Sequence, residues 1–306
     1  MTRLYIAGTG NVSKALLQLL EAIPEIEIYG LENSRGSIYG YGPLDKQMIN
    51  LFLEQPSRHQ KPERVEDLEF DIYVDLRTAS KDGILERRTY EHMFYSGKSV
   101  VTANKSGLAN FFPEIMKDSI STKRKIFYEA TVAGGLPIFS LLEGSFKPFH
   151  VKEFVGIVNL TSNFVLKKIR SGLKQEDAFN EAVKAGVAET DMSDDLNGTD
   201  SARKAVIIAN SIFGYPLRLS NLKYTGIDLK NISGKTALMV RINDEGEISS
   251  GLMELEEGSA FLDLDPMSMA VQVSFKEREP IFVSEKRDGP IETAGAVLND
   301  ILRCIS

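Results

Sequence analysis

Residues Leu4-Tyr5-Ile6-Ala7-Gly8-Thr9-Gly10-Asn11-Val12-Ser13, close to the start of the chain, decide the fold. Leu4 to Ala7 are apolar and read as a buried strand, Gly8 to Ser13 form a turn, and Ala15, Leu16, Leu19 and Leu20 then recur at helical spacing. A glycine turn running from a buried strand into an apolar helix lets the backbone approach a pyrophosphate at the helix N-terminus, where free amides and the helix dipole favour an anion. Ser13 stands where the usual fingerprint has a third glycine; a small side chain there still allows helix and strand to pack closely. Gly8, Thr9, Gly10, Asn11 and Val12 are the candidate dinucleotide-binding residues.

The next strand is expected over Ile26 to Leu31. At its end, where the adenine ribose of a dinucleotide would lie, the chain reads Glu32-Asn33-Ser34-Arg35-Gly36. An acid at this place selects NAD and an arginine accommodates the extra phosphate of NADP. Both are present, so the choice between NADP and NAD stays open, with Asn33 and Arg35 tilting it toward acceptance of NADP. Gly36 to Gly42 is turn-rich, and Lys46 to Pro62, mostly polar with an apolar patch at Met48 to Leu53, reads as an irregular excursion. Asp71 to Leu76 is another buried strand, with Arg77 read as structural or solvent-facing and Thr78 to Ser80 at the carboxyl end, the edge where open α/β sheets bind ligands. After a helix over Gly83 to Ser96, the strand Ser99 to Thr102 delivers Ala103-Asn104-Lys105 to the same edge.

With 306 residues, 42% hydrophobic and 26% charged, the chain is long enough for two domains with their own cores. The longest apolar runs fall short of a membrane span, and Leu4 to Ala7 leads straight into a turn rather than into a signal-peptide core. A net charge of -7 argues against nucleic acid or an anionic membrane as the main partner. The single cysteine, Cys304, cannot form an internal disulfide and suits the cytoplasm. The three histidines, His59, His92 and His150, lack metal-ligand spacing, which leaves lysine and carboxylates as acid and base.

Ile126 to Phe139 is punctuated by Gly134-Gly135 and Pro137, which places a domain boundary there. Beyond it, helices are expected over Pro137 to Phe146, Phe164 to Ile169 and Gln175 to Ala185, with a strand over Val151 to Val158. Ile227 to Arg241, Ile248 to Leu255, Met269 to Phe275 and Pro280 to Ser284 alternate or are β-branched around turns and read as antiparallel strands of one sheet. Met267, Met269, Val271 and Val273 on that sheet serve either a core or a dimer surface. Between the two halves of this region lies Ala188 to Lys204, AETDMSDDLNGTDSARK. Its Asn197-Gly198-Thr199-Asp200 turn feeds a helix on which Asp200 and Lys204, four apart, stand on one face. The fold expected is α/β: a Rossmann-type parallel-sheet domain over 1–136, completed by a C-terminal helix within 288–306, and an α+β domain with a mostly antiparallel sheet over 137–287.

Three stretches resemble the homoserine dehydrogenases. Glu189, Asp191, Asp194-Asp195-Leu196-Asn197-Gly198, Asp200 and Ala202-Arg203-Lys204 are similar to the family's signature; Val101 to Lys105 is similar to its Val-Thr-Ala-Asn-Lys motif; Glu129-Ala130-Thr131 with Gly134-Gly135-Leu136-Pro137 is similar to its crossover out of the coenzyme domain. Two places depart from it. Leu160, before Thr161, stands where the family commonly has glycine, and Glu285 to Pro290 replaces a glycine-rich loop beside the nicotinamide. The resemblance implies NAD(P)-dependent interconversion of L-homoserine and L-aspartate 4-semialdehyde, in threonine, methionine and isoleucine biosynthesis, by a short-form homodimer without kinase or regulatory domain. It implies that Lys204 and Lys105 flank the reacting oxygen with Asp200 orienting Lys204, and that Glu189, Asp195, Thr161 and Lys105 hold the substrate. It implies further that Thr78, Ala103 and Lys105 meet the coenzyme beside Gly8 to Val12, Asn33 and Arg35. Glu129, Val132, Gly134 and Leu136 are the implied ligands of a monovalent cation, Na+ or K+. The altered 285–290 loop keeps one alternative open, a non-catalytic or divergent NAD(P)-binding homologue that acts on another small substrate or as a sensor. A semialdehyde dehydrogenase with a cysteine nucleophile is disfavoured by the remote position of Cys304.

Overall fold

In the computed structural model, which describes residues 1–55, 61–188, 191–227 and 235–306, the N-terminal stretch is a strand, β1 (Thr2–Ala7), that turns at Gly8 to Gly10 into a helix, α1 (Asn11–Leu20). The chain continues through β2 (Ile26–Asn33), β3 (Gly36–Tyr39), α2 (Lys46–Glu54), β4 (Ile72–Asp75), α3 (Ile84–Tyr95), β5 (Ser99–Thr102), α4 (Ser106–Thr122) and β6 (Ile126–Phe127). The sheet order is β3-β2-β1-β4-β5-β6, with every pairing parallel except β2 with β3. Parallel strands need helical crossovers that cover both faces, which is why Leu4, Ile6, Leu31, Ile72, Val74 and Val101 are all buried.

The remaining elements are α5 (Phe139–Glu143), β7 (Val151–Ile157), α6 (Leu160–Arg170), α7 (Gln175–Lys184), α8 (Ser193–Leu196), α9 (Thr199–Phe213), β8 (Thr236–Asn243), β9 (Ile248–Glu254), β10 (Ala270–Phe275), β11 (Ile281–Ser284) and α10 (Pro290–Ile305). Strands β7 to β11 make a sheet in the order β11-β10-β7-β8-β9, antiparallel throughout. The chain divides into two compact units, 1–131 with 290–306, and 132–289. In the first, α10 adds Ala294, Val297 and Ile301 to the core that holds Leu16 and Leu20 of α1. The division falls after Thr131 rather than at 136, and before Pro290 rather than at 288. The turn Glu129–Thr131 belongs with α10, whose buried Asp300 accepts the Glu129 N–H at 2.7 Å. Burial, helped by the nearby Glu129 charge, pushes the Asp300 carboxyl up to about 7.

Several expectations are corrected. Lys46 to Glu54 is a helix, because Asp45 caps it by accepting the Met48 N–H at 2.7 Å and Phe52 is fully buried beneath it. Gly36 to Tyr39 is an edge strand rather than a loop. The helix expected from Phe164 starts at Leu160, where Asn159 caps it through Ser162 N. Met269, Val271 and Val273 are buried within their own unit, so the dimer-surface alternative for them fails; of the strand expected over Ile227 to Arg241, 228–234 lies outside the described residues.

Gly30 in β2 has a packing role. A Cβ there would run into the ring of Tyr5, which is fully buried and stacked on Tyr73 with centroids 6.0 Å apart. Gly30→Ala is expected to overpack this layer and to cost about 1–3 kcal/mol, read as a lower Tm; an unchanged Tm would show that the ring has room to move.

Candidate active site

The carboxyl edge of the first sheet collects the residues proposed for a dinucleotide. Gly8 has φ +107°, and a Cβ on it would lie 2.5 Å from the Leu76 carbonyl oxygen of the neighbouring loop, so the turn requires glycine. Gly10, by contrast, faces open space and precedes α1 without any side-chain cap. The first amides of α1, including those of Asn11 and Val12, are therefore left for another acceptor. An open glycine beside an uncapped helix N-terminus fits a pyrophosphate.

Strand alternation sorts the three residues read for coenzyme choice. Leu31 points into the core with α1, so Glu32 points to the opposite face, where it is buried and accepts from Tyr5 Oη at 3.2 Å. Tyr5, desolvated and beside the Glu32 charge, is held above its ordinary phenol range. Asn33 is the side chain that returns to the glycine turn, donating to Thr9 Oγ1 at 3.1 Å while its Oδ1 accepts from Arg35 N and Gly36 N. Arg35 is exposed at the tip of the hairpin between β2 and β3.

Arg77 forms a two-pronged pair with fully buried Asp75, at 2.9 and 2.8 Å, which bears out its structural reading. Ala103 N–H is donated to the Asp75 carbonyl at 3.0 Å, and Lys105 holds the N-cap position of α4. Thr78 lies in the loop after β4, its carbonyl 3.5 Å from Asn104 Nδ2. Glu129 is buried on the turn that closes the first unit's share of the crossover.

In the second unit, Gly198 at φ +84° makes the turn before α9, and a Cβ there would fall 2.5 Å from the Thr225 carbonyl oxygen. The turn aims the first two turns of α9, and with them Asp200 and Lys204, both 8% exposed. Lys204 Nζ pairs with Asp200 Oδ2 at 2.7 Å and donates to the Val158 carbonyl at the end of β7. Two of its three N–H donors are thus directed to partners among the described residues. Asn159, 2% exposed, bridges the carboxylates: its Nδ2 donates to Asp195 Oδ1 at 2.7 Å and to Asp200 Oδ2 at 2.8 Å. Burial and the adjacent Asp200 push the Asp195 carboxyl up, opposed by hydrogen bonds from Asn159 and Thr161. The single Thr161 hydroxyl proton is shared between Asp195 and the Val187 carbonyl, which lies 2.8 Å from Thr161 Oγ1. Arg203, one position before Lys204, pairs with Asp194 at 2.7 Å.

Asp195, Asp200, Lys204 and Thr161 lie together in the second unit, and Glu189 lies outside the described residues. Asn159 and the Val158 carbonyl are additions; the signal for Asn159 was its place directly after a buried strand. Val132 and Leu136 are buried, and Gly134, at φ +55°, has the Asp288 carboxyl packed where its Cβ would be. That contact, with Ser268 Oγ donating to the Lys286 carbonyl at 3.1 Å, anchors the altered 285–290 loop. No group of three or more His, Cys, Asp or Glu side chains that could hold a metal occurs among the described residues.

A Rossmann-type sheet with an open glycine turn, carried with a second unit that holds a buried lysine beside carboxylates, is the build of an oxidoreductase of the nicotinamide-dependent class acting on a CH–OH group. More narrowly, the chain belongs to the homoserine dehydrogenase family, whose profile matches residues 137–302. The homoserine dehydrogenase of Thermoplasma acidophilum superposes with a TM-score of 0.91 at 36% identity, over 99% of this chain and 98% of that one. The Sulfurisphaera tokodaii homoserine dehydrogenase is 28% identical over 309 residues, covering 98% of this chain and 97% of that protein. A hyperthermophilic archaeal homoserine dehydrogenase in complex with NADPH shares the fold, with a TM-score of 0.83 at 23% identity, over 99% of this chain and 97% of that one.

Proposed function

We propose that this chain interconverts L-homoserine and L-aspartate 4-semialdehyde with NADP or NAD, and that Lys204 serves the reacting oxygen. The observation that carries this reading is the Lys204 ammonium, buried on α9 and held by Asp200 and the Val158 carbonyl. A nicotinamide coenzyme held at Gly8 to Val12 and Asn33 would supply the hydride acceptor or donor for the alcohol or aldehyde carbon. In the reducing direction negative charge develops on the substrate oxygen; Lys204 Nζ donates to it and gives the proton, and in the oxidising direction takes it back. Asp200 holds the ammonium in place throughout. Lys105 is assigned to the same oxygen, on the strength of the family motif at Val101 to Lys105.

Asp195 is proposed to hold the substrate's ammonium group, with Thr161 and Glu189. A desolvated carboxyl beside a second carboxylate is short of positive charge, and an amino-acid substrate supplies it. NADP is the preferred coenzyme in this reading. Glu32 is turned away under Tyr5, a neutral Asn33 meets the glycine turn, and Arg35 is exposed beside it. Arg35→Ala is expected to raise KM for NADP roughly 10- to 100-fold, the worth of one charged phosphate contact, while KM for NAD stays within about 3-fold. Equal changes for both coenzymes would remove Arg35 from phosphate recognition.

A monovalent cation on Glu129, Val132, Gly134 and Leu136, a homodimer and a cytoplasmic location complete the proposal, supported by the family. Among the described residues, no helix is long and apolar enough to cross a membrane. Oxidation of L-homoserine by purified protein, followed by the absorbance of reduced coenzyme with NADP and NAD in parallel, tests the reading. Coenzyme binding without turnover would favour the sensor alternative instead.

A further inference from the structure

Buried polar groups that the reading above does not use gather at the carboxyl ends of β4 and β5 around Glu86, on the first turn of α3 and 1% exposed. Glu86 Oε1 accepts from Ser80 N at 3.1 Å and from Asn104 Nδ2 at 3.0 Å, and its Oε2 accepts from Ser80 Oγ at 2.6 Å. Ser80 Oγ accepts in turn from Gly83 N at 3.0 Å, and the Ser80 carbonyl accepts from Ser106 Oγ. Asn104 donates its own N–H to Thr102 Oγ1 at 2.9 Å, and its Oδ1 accepts from Ser106 N at 3.0 Å. Both residues that flank Lys105 are thus held through their backbone amides.

An amide side chain fits its space almost equally well either way round, exchanging donor and acceptor. At Asn104 only one orientation works. The Ser106 N–H can only donate, so the amide oxygen must face it; the Glu86 oxygen accepts, so the amide nitrogen must face that. Glu86, at 3.0 Å from Asn104 Nδ2 where the Arg77 and Thr78 carbonyls stand at 3.4 and 3.5 Å, is the short contact that holds the orientation in which Asn104 caps α4, with Lys105 at the N-cap position between the two held amides. Two glycines bring the helix starts close enough for this. A Cβ on Gly83, at φ +73°, would run into the Ser106 carbonyl, and one on Gly107 would fall 2.8 Å from Glu86 Cβ.

We propose that Glu86 is a positioning residue for the reaction, which by orienting Asn104 sets the backbone at Lys105 and hence the aim of that lysine. The proposal rests on Lys105 serving the reaction, and the test separates the two. Homoserine oxidation is measured at saturating coenzyme, with coenzyme Kd and Tm alongside. Lys105→Ala examines the underlying reading alone: kcat within about 3-fold of wild type would remove Lys105 from the chemistry, while a large loss leaves Glu86 to be judged. Glu86→Leu is then expected to lower kcat about 100-fold, the scale of a misaimed group, with coenzyme Kd within about 3-fold. In a Lys105→Ala background the same substitution should add almost nothing, because a residue that acts through Lys105 has nothing left to act on.

Should Glu86→Leu fail to fold, a polarity exchange carries the test. Asn104→Asp sets two carboxyls against each other and should lose activity comparably; the double variant Glu86→Gln/Asn104→Asp restores a donor opposite an acceptor and should recover to within about 10-fold of wild type. A folded Glu86→Leu variant with wild-type kcat overturns the proposal. So does an undiminished effect of Glu86→Leu in the Lys105→Ala background, or a double variant with wild-type Tm that recovers nothing.

Discussion

Replacement of Lys204 by alanine is expected to lower kcat roughly 10³-fold while coenzyme Kd stays within about 3-fold of wild type, since a proton donor and a buried electrostatic contact are lost together. The ammonium is the cation that Asp200 contacts directly at 2.7 Å, and it also acts on Asp195 through space. Without it, Asp195 and Asp200, bridged by Asn159, lose the ammonium that offsets their charge. Breaking a buried pair from one side costs about 3–5 kcal/mol, so a lower Tm accompanies the lost turnover. Lys204→Arg is the informative companion, because it keeps the charge but changes the donor geometry within a site that closes on the Val158 carbonyl. It should retain most of the stability and little of the activity. Turnover of Lys204→Ala within about tenfold of wild type would dismiss the lysine as the group at the reacting oxygen.

That pair was legible in the sequence because its two members sit four apart on one helix, where spacing alone puts them on the same face. The glycine turn and the strands β1, β4 and β5 were legible for a similar reason: a parallel sheet buried on both faces leaves short, continuously apolar runs. Other parts were hidden by their composition. Met48 and Leu51 of α2 are exposed, 43% and 50%, so the apolar patch there marks only part of the helix's contact with the core, which is made chiefly by Phe52. Pro113 and the non-helical Phe111 interrupt the period of α4. Asn159 was hidden for another reason. Its partners are 36 and 41 residues away, and a lone asparagine after a strand ordinarily does no more than cap the next helix. Here it does both, since Oδ1 caps α6 and Nδ2 spans the carboxylates. Glu86 reaches Asn104 across 18 residues of chain, a contact that no local period announces.

The bridging role of Asn159 makes Asn159→Asp a severe change of a single group, because it reverses the polarity of the atom that faces Asp195 and Asp200. Aspartate caps helices as well as asparagine does, so the Ser162 N–H keeps its acceptor at the start of α6. What changes is the other end of the side chain, where an oxygen replaces the nitrogen that donates to Asp195 and Asp200. Three carboxyls then share a site with the Lys204 ammonium, and the Asp195 carboxyl, already pushed up by burial and by Asp200, is pushed further. The folded protein therefore binds a proton that the unfolded chain has released above about pH 4. Stability consequently falls as pH rises from there through the raised carboxyl range of the folded state. The expected result is a kcat/KM lowered roughly 10³-fold near pH 8, a loss that narrows toward about pH 5, and a Tm that drops with rising pH more steeply than in the wild type. Asn159→Ala removes both hydrogen bonds without adding charge, so its deficit should be smaller and should vary less with pH. If the two variants lost activity equally at every pH, the charge balance among Asp195, Asp200 and Lys204 would not be what Asn159 maintains.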